Sequence, residues 1–301
     1  MQVGIALPHF GPAASPKAIL DVARQAEALR FDSVWALDRL LWPLRATSKY
    51  PGNPKGNLPG VMQNTYDPLT VLTYVAAHTK RVRLGTSVLV AAYRSPVVVA
   101  KMVATLDLLS EGRLILGVGS GWSKDEFVAV NQPWTEKDER TDEFLKVLFA
   151  LWTAGEASFE GQFYRVPESF FLPKPLQRPH PPIWIGGNSR RAIRRAAEFG
   201  DGWHPTSRFS PSVLAEEMKH LQNLAQKAGR DPSAIALTLR WNAFPLLTEK
   251  HVLGEVAERL HQYREVGVQH VCFDLNIPEP SSLTVMLETM HLLIEEIIPR
   301  A

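Results

Sequence analysis

A (β/α)8 TIM barrel, an α/β fold, is what this sequence predicts, and three observations carry the prediction. Short aliphatic runs alternate with amphipathic helical patterns from end to end, eight pairs in 301 residues. The runs are rich in Val, Ile and Leu without strict alternation, as strands buried on both faces are. A doubly wound open sheet is the other way to wind consecutive right-handed crossovers. It would place a glycine-rich phosphate fingerprint after its first strand, and VGIALPHFG supplies none.

Val3–Pro8 reads as the first strand and Ser15–Leu29 as the first helix, with Ser15 at its cap and Pro16 in the first turn, where a missing N–H is no loss. Ser33–Leu37 is the second strand, Pro68–Thr79 a helix, Val82–Val90 the third strand, and Ser95–Leu109 a helix ended by Gly112. Arg113–Val118 is the fourth strand and Glu136–Trp152 its helix. Ile183–Ile185 is the fifth strand, and Ser189–Phe199 a helix closed by Gly200. A sixth strand begins at Trp203, before a helix over Pro211–Ala228. Ile235–Trp241 and Gly254–Val266 make the seventh pair, His270–Leu275 and Ser282–Ile298 the eighth. Gly85, Thr86 and Ser87 interrupt the third strand, which fits a packing accident, a bulge or a close ligand.

These elements form a single domain over residues 1–301 with two insertions. The first, about 40–67, follows strand two on the rim where barrels carry their chemistry, and is read as a lid. The second, about 154–182, follows helix four and holds a hairpin around Glu160-Gly161 and the proline-rich LPKPLQRPHPP, on the rim that serves stability. A net charge of +2 gives no global pull toward nucleic acid or anionic membrane. One cysteine, Cys272, permits no internal disulfide, and the nine histidines show no HxxxH or CxxC spacing, so a metal site is not expected. No basic leader with a long apolar stretch opens the chain, and no window of about 18 apolar residues occurs. The expectation is a soluble, cytoplasmic protein.

Strand C-terminal ends then nominate the site. His9 ends strand one, Asp38 and Arg39 strand two, and Ser87 lies in strand three; Ser120, Trp122, Asp125 and Glu126 follow strand four. Gly186, Gly187 and Asn188 end strand five, His204, Thr206 and Ser207 strand six, Arg240 and Asn242 strand seven, Asp274 and Asn276 strand eight. Gly186-Gly187-Asn188-Ser189 opens a helix whose first turn carries Arg190 and Arg191, where the helix dipole disfavours positive charge. Either a bound phosphate compensates, held by backbone N–H groups and these arginines, or the face is merely basic and solvated. LGVGSGW at 116–122 could admit a planar ring beside Trp122 or could simply cap the rim. Asp38 and Arg39 could form a local ion pair or take part in catalysis. His9 and His204 could be hydrogen-bonding fixtures or proton shuttles.

Several stretches together resemble the luciferase-like monooxygenase superfamily, and within it the coenzyme F-420-dependent oxidoreductase branch: Phe31-Asp32-Ser33-Val34-Trp35, Leu84-Gly85-Thr86-Ser87-Val88-Leu89, AKMVATLDLLSEGR, LGVGSGWSKDEF, LPKPLQRPHPPIWIGG and FGDGW. The resemblance implies a barrel, often dimeric, that binds a deazaflavin or flavin at the strand C-termini, with a non-prolyl cis peptide at Ser87-Val88. It carries ring and phosphate contacts to Asp38, Val88, Trp122 or Asp125, Gly186, Gly187 and Thr206; Ser87 and Asn188 beside them are further cofactor-binding candidates, and Arg190, Arg191 or Arg240 would meet the cofactor's phosphate and acidic tail. Alcohol-oxidising members have a histidine where this chain has Arg39, which argues for reduction of an unsaturated or carbonyl substrate, or for a proton relay through His9, His204 or Glu126. The implied cofactor is F-420 and the partners a small-molecule substrate and a second copy of the chain. An FMN-dependent monooxygenase with a separate flavin reductase is the alternative, and a non-catalytic flavin-binding barrel the third reading.

Overall fold

The computed structural model describes residues 1–52, 55–242, 253–276 and 282–300; residues 53 and 54 of the expected lid lie outside them. In chain order the elements are β1 (Gln2–Ala6), α1 (Pro16–Ala28), β2 (Ser33–Ala36), α2 (Pro68–Ala76), β3 (Arg83–Thr86), β4 (Leu89–Val90), α3 (Pro96–Leu109) and β5 (Leu114–Gly119). There follow α4 (Lys124–Ala129), α5 (Lys137–Thr153), β6 (Glu156–Glu160), β7 (Arg165–Phe170), β8 (Ile183–Gly186), α6 (Arg190–Phe199), β9 (Gly202–His204) and α7 (Pro211–Lys227). The last are β10 (Ala236–Trp241), α8 (Leu253–Glu265), β11 (Val268–Phe273) and α9 (Leu283–Leu292).

Parallel pairing runs from β1 through β2 to β3, across to β5, then through β8, β9, β10 and β11 back to β1, which closes the barrel. The expected (β/α)8 order is therefore present, with β3 and β4 as two halves of the third stave. Leu84 lies opposite Leu114 and Leu89 opposite Val118, so five residue steps on the third stave span four on β5. The extra residue makes a bulge, and the Ser87–Val88 peptide inside it is cis.

Glycine placement explains how so short a barrel holds large side chains. Trp35 and Trp184 stack at 5.0 Å inside it, with Ile115 and Cys272 beside them. A Cβ on Gly4 or Gly85 would overlap the Trp35 indole, and one on Gly202 would sit 2.7 Å from Trp184. Gly85 thus makes room for Trp35. A second glycine group surrounds the bulge: a Cβ on Gly119 or Gly186 would lie 2.6 Å from a Val88 methyl, and one on Gly117 would overlap the Thr86 carbonyl.

Helix caps act where the sequence put them: Ser15, Asp67 and Ser189 accept first-turn N–H groups of α1, α2 and α6. Gly200 closes α6 in extended, not left-handed, geometry, with φ −85°. The last helix is shorter than expected, becoming a wide turn at Leu293–Ile297, and α4 was not foreseen because six residues carry too little periodicity to read. The second insertion forms the expected antiparallel hairpin β6–β7, and Gln177 beyond it bonds Asp107 and the Leu114 carbonyl at the start of β5. That places it on the rim opposite the strand C-termini. The first insertion crosses the C-terminal rim. Thr47 donates to Asp125, Ser48 accepts from the Lys124 N–H, and Trp42 and Tyr50 pack on a cluster of Phe10, Leu37, Val61 and Met62. Among the described residues no helix is long and apolar enough to cross a membrane.

Candidate active site

The mouth of the barrel is a small cleft whose lining includes His9, Phe10, Trp35, Ser87, Arg240 and Asp274. Arg240 is its central cation. It donates to the Ser87 carbonyl at 2.8 Å and to Asp274, whose other oxygen accepts from the Asn276 N–H and amide, both at 3.0 Å. Burial alone would raise the Asp274 carboxyl, but Arg240 and Asn276 hold it below its ordinary value. Arg240 therefore clamps the carbonyl of the cis peptide from across the barrel. Both of its terminal nitrogens thus bond protein acceptors.

Three buried histidines line the interior, and each has its tautomer fixed. Thr238 donates to the Trp203 carbonyl, so its oxygen accepts from His204 Nδ1 at 2.7 Å, and the Ser87 hydroxyl donates to Nε2 at 2.9 Å. His9 Nδ1 donates to the Leu7 carbonyl at 2.9 Å while Nε2 accepts from the Leu37 N–H at 2.9 Å. Trp35 donates to Ser33, which donates in turn to His270 Nε2 at 2.8 Å. Burial pushes His204 and His270 down to about 3 and also lowers His9. All three are neutral fixtures near pH 7. A proton relay through His9 or His204 would have to break these bonds.

Asp38 and Arg39 do not pair with each other, which corrects the local-pair reading. Adjacent residues leaving a strand point apart, and each finds its own partner. The Asp38 carboxylate, fully buried, takes a two-pronged contact from Arg94 at 2.5 and 3.0 Å and the Val90 N–H at 2.9 Å. Burial raises its carboxyl, and the Arg94 fork opposes that rise. Asp38 so braces the strand that resumes after the bulge. Arg39 turns toward α4, with Nη1 3.8 Å from Glu126 and its guanidinium 5.0 Å from the Trp122 ring. Glu126 accepts from the Leu40 N–H at 2.6 Å and the Tyr93 hydroxyl at 3.0 Å, and Asp125 is taken by Thr47. Both carboxylates hold the lid down. Trp122 meets lid Tyr50 edge-to-face at 5.2 Å.

On the β8 side, Asn188 Oδ1 accepts from the Thr206 N–H and hydroxyl at 3.1 and 3.0 Å, tying two strand ends together. Gly187 has φ +115°, a conformation open to glycine and strained for other residues. Arg190 and Arg191 find their anions inside the protein: Glu217 at 2.7 Å for the first, Asp142 at 2.6 Å for the second. The charge mismatch at the α6 N-terminus is thus met by α5 and α7. Gly119 and Gly186 are occupied by Val88 rather than opened to a ring. Sequence reading passed over Arg94, Tyr93 and Ser123; Arg94 lies four residues beyond the end of the third strand at Val90, and no spacing rule links it to Asp38. Among the described residues no group of His, Cys, Asp and Glu could hold a metal.

Comparison with known proteins gives this geometry a context. A family model for luciferase-like monooxygenase matches residues 1–264. The FMNH(2)-dependent dimethylsulfone monooxygenase of Pseudomonas putida is 34% identical over 65% of this chain and 53% of its own length. The crystal structure of monooxygenase RslO1 from Streptomyces bottropensis superposes with TM-score 0.82 at 22% identity, covering 99% of both chains. An F420-dependent secondary alcohol dehydrogenase in complex with an F420-acetone adduct does so with TM-score 0.79 at 20% identity, covering 99% of this chain and 98% of that one.

Proposed function

The chain belongs to the luciferase-like monooxygenase family, and from that premise we propose that it is an oxidoreductase using coenzyme F-420 for hydride transfer to a small unsaturated or carbonyl substrate at the C-terminal mouth of the barrel. The observation that carries the reading is the bulge in the third stave. It sets half-buried Val88 over Gly119 and Gly186, so that the valine covers both glycines and presents an apolar floor on which a flat ring can lie. Two further features fit such a group. The Gly186-Gly187 turn leads into the first-turn N–H groups of α6, which suit a phosphate. Trp122 and Tyr50 close the mouth from the lid side.

The deazaflavin supplies the hydride chemistry when bound, and the protein supplies position and exclusion of water. Arg240 fixes the Ser87 carbonyl and so the height of the floor, while neutral His204 holds the Ser87 hydroxyl. Asp38 and Arg94 keep the far end of the bulge in place. The lid, pinned by Glu126 and Asp125, covers the reacting face. With Arg39 where alcohol-oxidising members have histidine, the residue at that position cannot act as the proton acceptor, because a guanidinium does not deprotonate near pH 7. That favours the reductive direction.

A second reading, an FMN-dependent monooxygenase supplied by a separate flavin reductase, is favoured by the likeness to the dimethylsulfone enzyme. The assembly we propose is a homodimer in the cytoplasm, joined through the apolar outer face of α3, where Val98 and Leu109 are 53% and 61% exposed. Titration with F-420 and FMN side by side, read by fluorescence, tests the cofactor. Micromolar F-420 affinity with weak FMN binding is expected; retention of FMN alone, with oxygen uptake, would replace the first reading by the second.

A further inference from the structure

Arg39 is the buried arginine whose hydrogen bonds do not close. Its side chain is 3% exposed, and its Nε and Nη2 have no partner among the described residues. Among the described residues the other buried arginine, Arg195, is met by Asp142, Asp138 and the Asp138 carbonyl, and half-buried Arg240 by Asp274 and Ser87. A buried charged donor without an acceptor is costly, so an acceptor is to be sought. Glu126 is not that acceptor. Its Oε1 is taken by the Leu40 N–H and its Oε2 by Tyr93, which leaves Arg39 Nη1 at a loose 3.8 Å.

The two orphaned atoms define one edge of the guanidinium. Nη2 lies on the same side as the Nε hydrogen, so the pair forms a parallel two-pronged fork, the geometry that matches the two oxygens of a carboxylate. The group is walled by indoles, Trp122 at 5.0 Å and Trp42 at 5.7 Å from Cζ, and Tyr50 leans on Trp122 from the lid. Such walls suit a thin planar group. The third buried orphan is the hydroxyl of Ser123, next to Trp122 in the chain. Arg39 directly follows Asp38, so the fork belongs to the segment that leaves β2 at the C-terminal rim.

We propose that the Nε–Nη2 edge of Arg39 anchors a carboxylate of the substrate, so that this enzyme acts on a small organic acid carrying the reducible group. The proposal deepens the oxidoreductase reading and rests on it for the role of that acid. Trp42 and Trp122 report on the slot by their own fluorescence, without cofactor. Benzoate is the probe, and benzyl alcohol its uncharged counterpart. Saturable quenching by benzoate and none by benzyl alcohol is expected. Arg39→Met should weaken benzoate binding at least about tenfold, the usual worth of a charge-assisted fork, Arg39→Lys should fall between, and Arg24→Met, on exposed α1, should match the natural protein.

Equal response to benzoate and benzyl alcohol overturns the proposal, and so does a loss of F-420 or FMN affinity in Arg39→Met with benzoate binding unchanged, which would give the fork to the cofactor. If Arg39→Met does not fold, the benzoate and benzyl alcohol comparison on the natural protein and on Arg39→Lys decides. If neither cofactor binds while benzoate still discriminates through Arg39, the slot stands and the redox reading fails.

Discussion

Arg240 and Arg39 stand on the same rim of the barrel, the first half-buried, the second buried, and each beside one carboxylate. On the β10–β11 side Arg240 has given its forks to Asp274 and to the Ser87 carbonyl, and Asn276 completes the carboxylate. On the β2–α4 side Arg39 keeps an entire fork unused between two indoles, while its nominal partner Glu126 is occupied by lid and hydroxyl donors. Identical residue types thus have opposite duties. A fully paired buried charge builds a scaffold; an unpaired buried one leaves donors for a ligand to meet.

Replacing both arginines by the same residue breaks or sustains that contrast. Arg240→Met strands the Asp274 carboxylate in the barrel, and a loss of about 3–5 kcal/mol is expected in urea unfolding, the usual cost of removing one partner of a buried pair. The acid response comes next. His204 and His270 are held down to about 3 by burial, against an unfolded value near 6.5. Their contribution is complete above that unfolded value and is lost as pH falls from it toward the folded one, because the unfolded chain takes up protons first. Between pH 7 and 5 stability should fall by on the order of 2 kcal/mol for each histidine. Asp274, held below its ordinary value, adds the same sign at lower pH. A flat profile over that range would mean that these rings are not the neutral fixtures described.

Arg39→Met should cost about 1 kcal/mol or less, since Glu126 keeps the Leu40 N–H and the Tyr93 hydroxyl. A loss as large as that of Arg240→Met would erase the distinction between the two sides. The smallest effect belongs to Asp125→Ala, which frees Thr47: global stability should change by about 0.5–1 kcal/mol, while limited proteolysis within residues 40–52 speeds up. Unchanged cleavage would show that Glu126 alone holds the lid.

How much of this was legible beforehand depends on the range of the interaction. The eight units, the hairpin and the cap at Ser15 rest on periodicity and neighbours within a few residues, and they appear where expected. The break at Gly85-Thr86-Ser87 was visible as a break. That Gly85 clears Trp35, while Gly119 and Gly186 clear Val88, needed the barrel closed. Arg190 and Arg191 looked like anion binders because their own helix offers no partner; Glu217 and Asp142 come from helices that only packing brings near.

By itself, then, the sequence determined the winding of the barrel, its catalytic rim and the residue types on that rim, since hydrophobic period and strand ends are local properties of the chain. Tertiary structure decided which of those residues are spent on one another. Asp38 was joined to Arg94, Asp274 to Arg240 and Glu126 to the lid across separations of 34 to 86 residues. Hydrogen-bond capacity is finite, and only the folded arrangement shows where, at Arg39, some of it is left over.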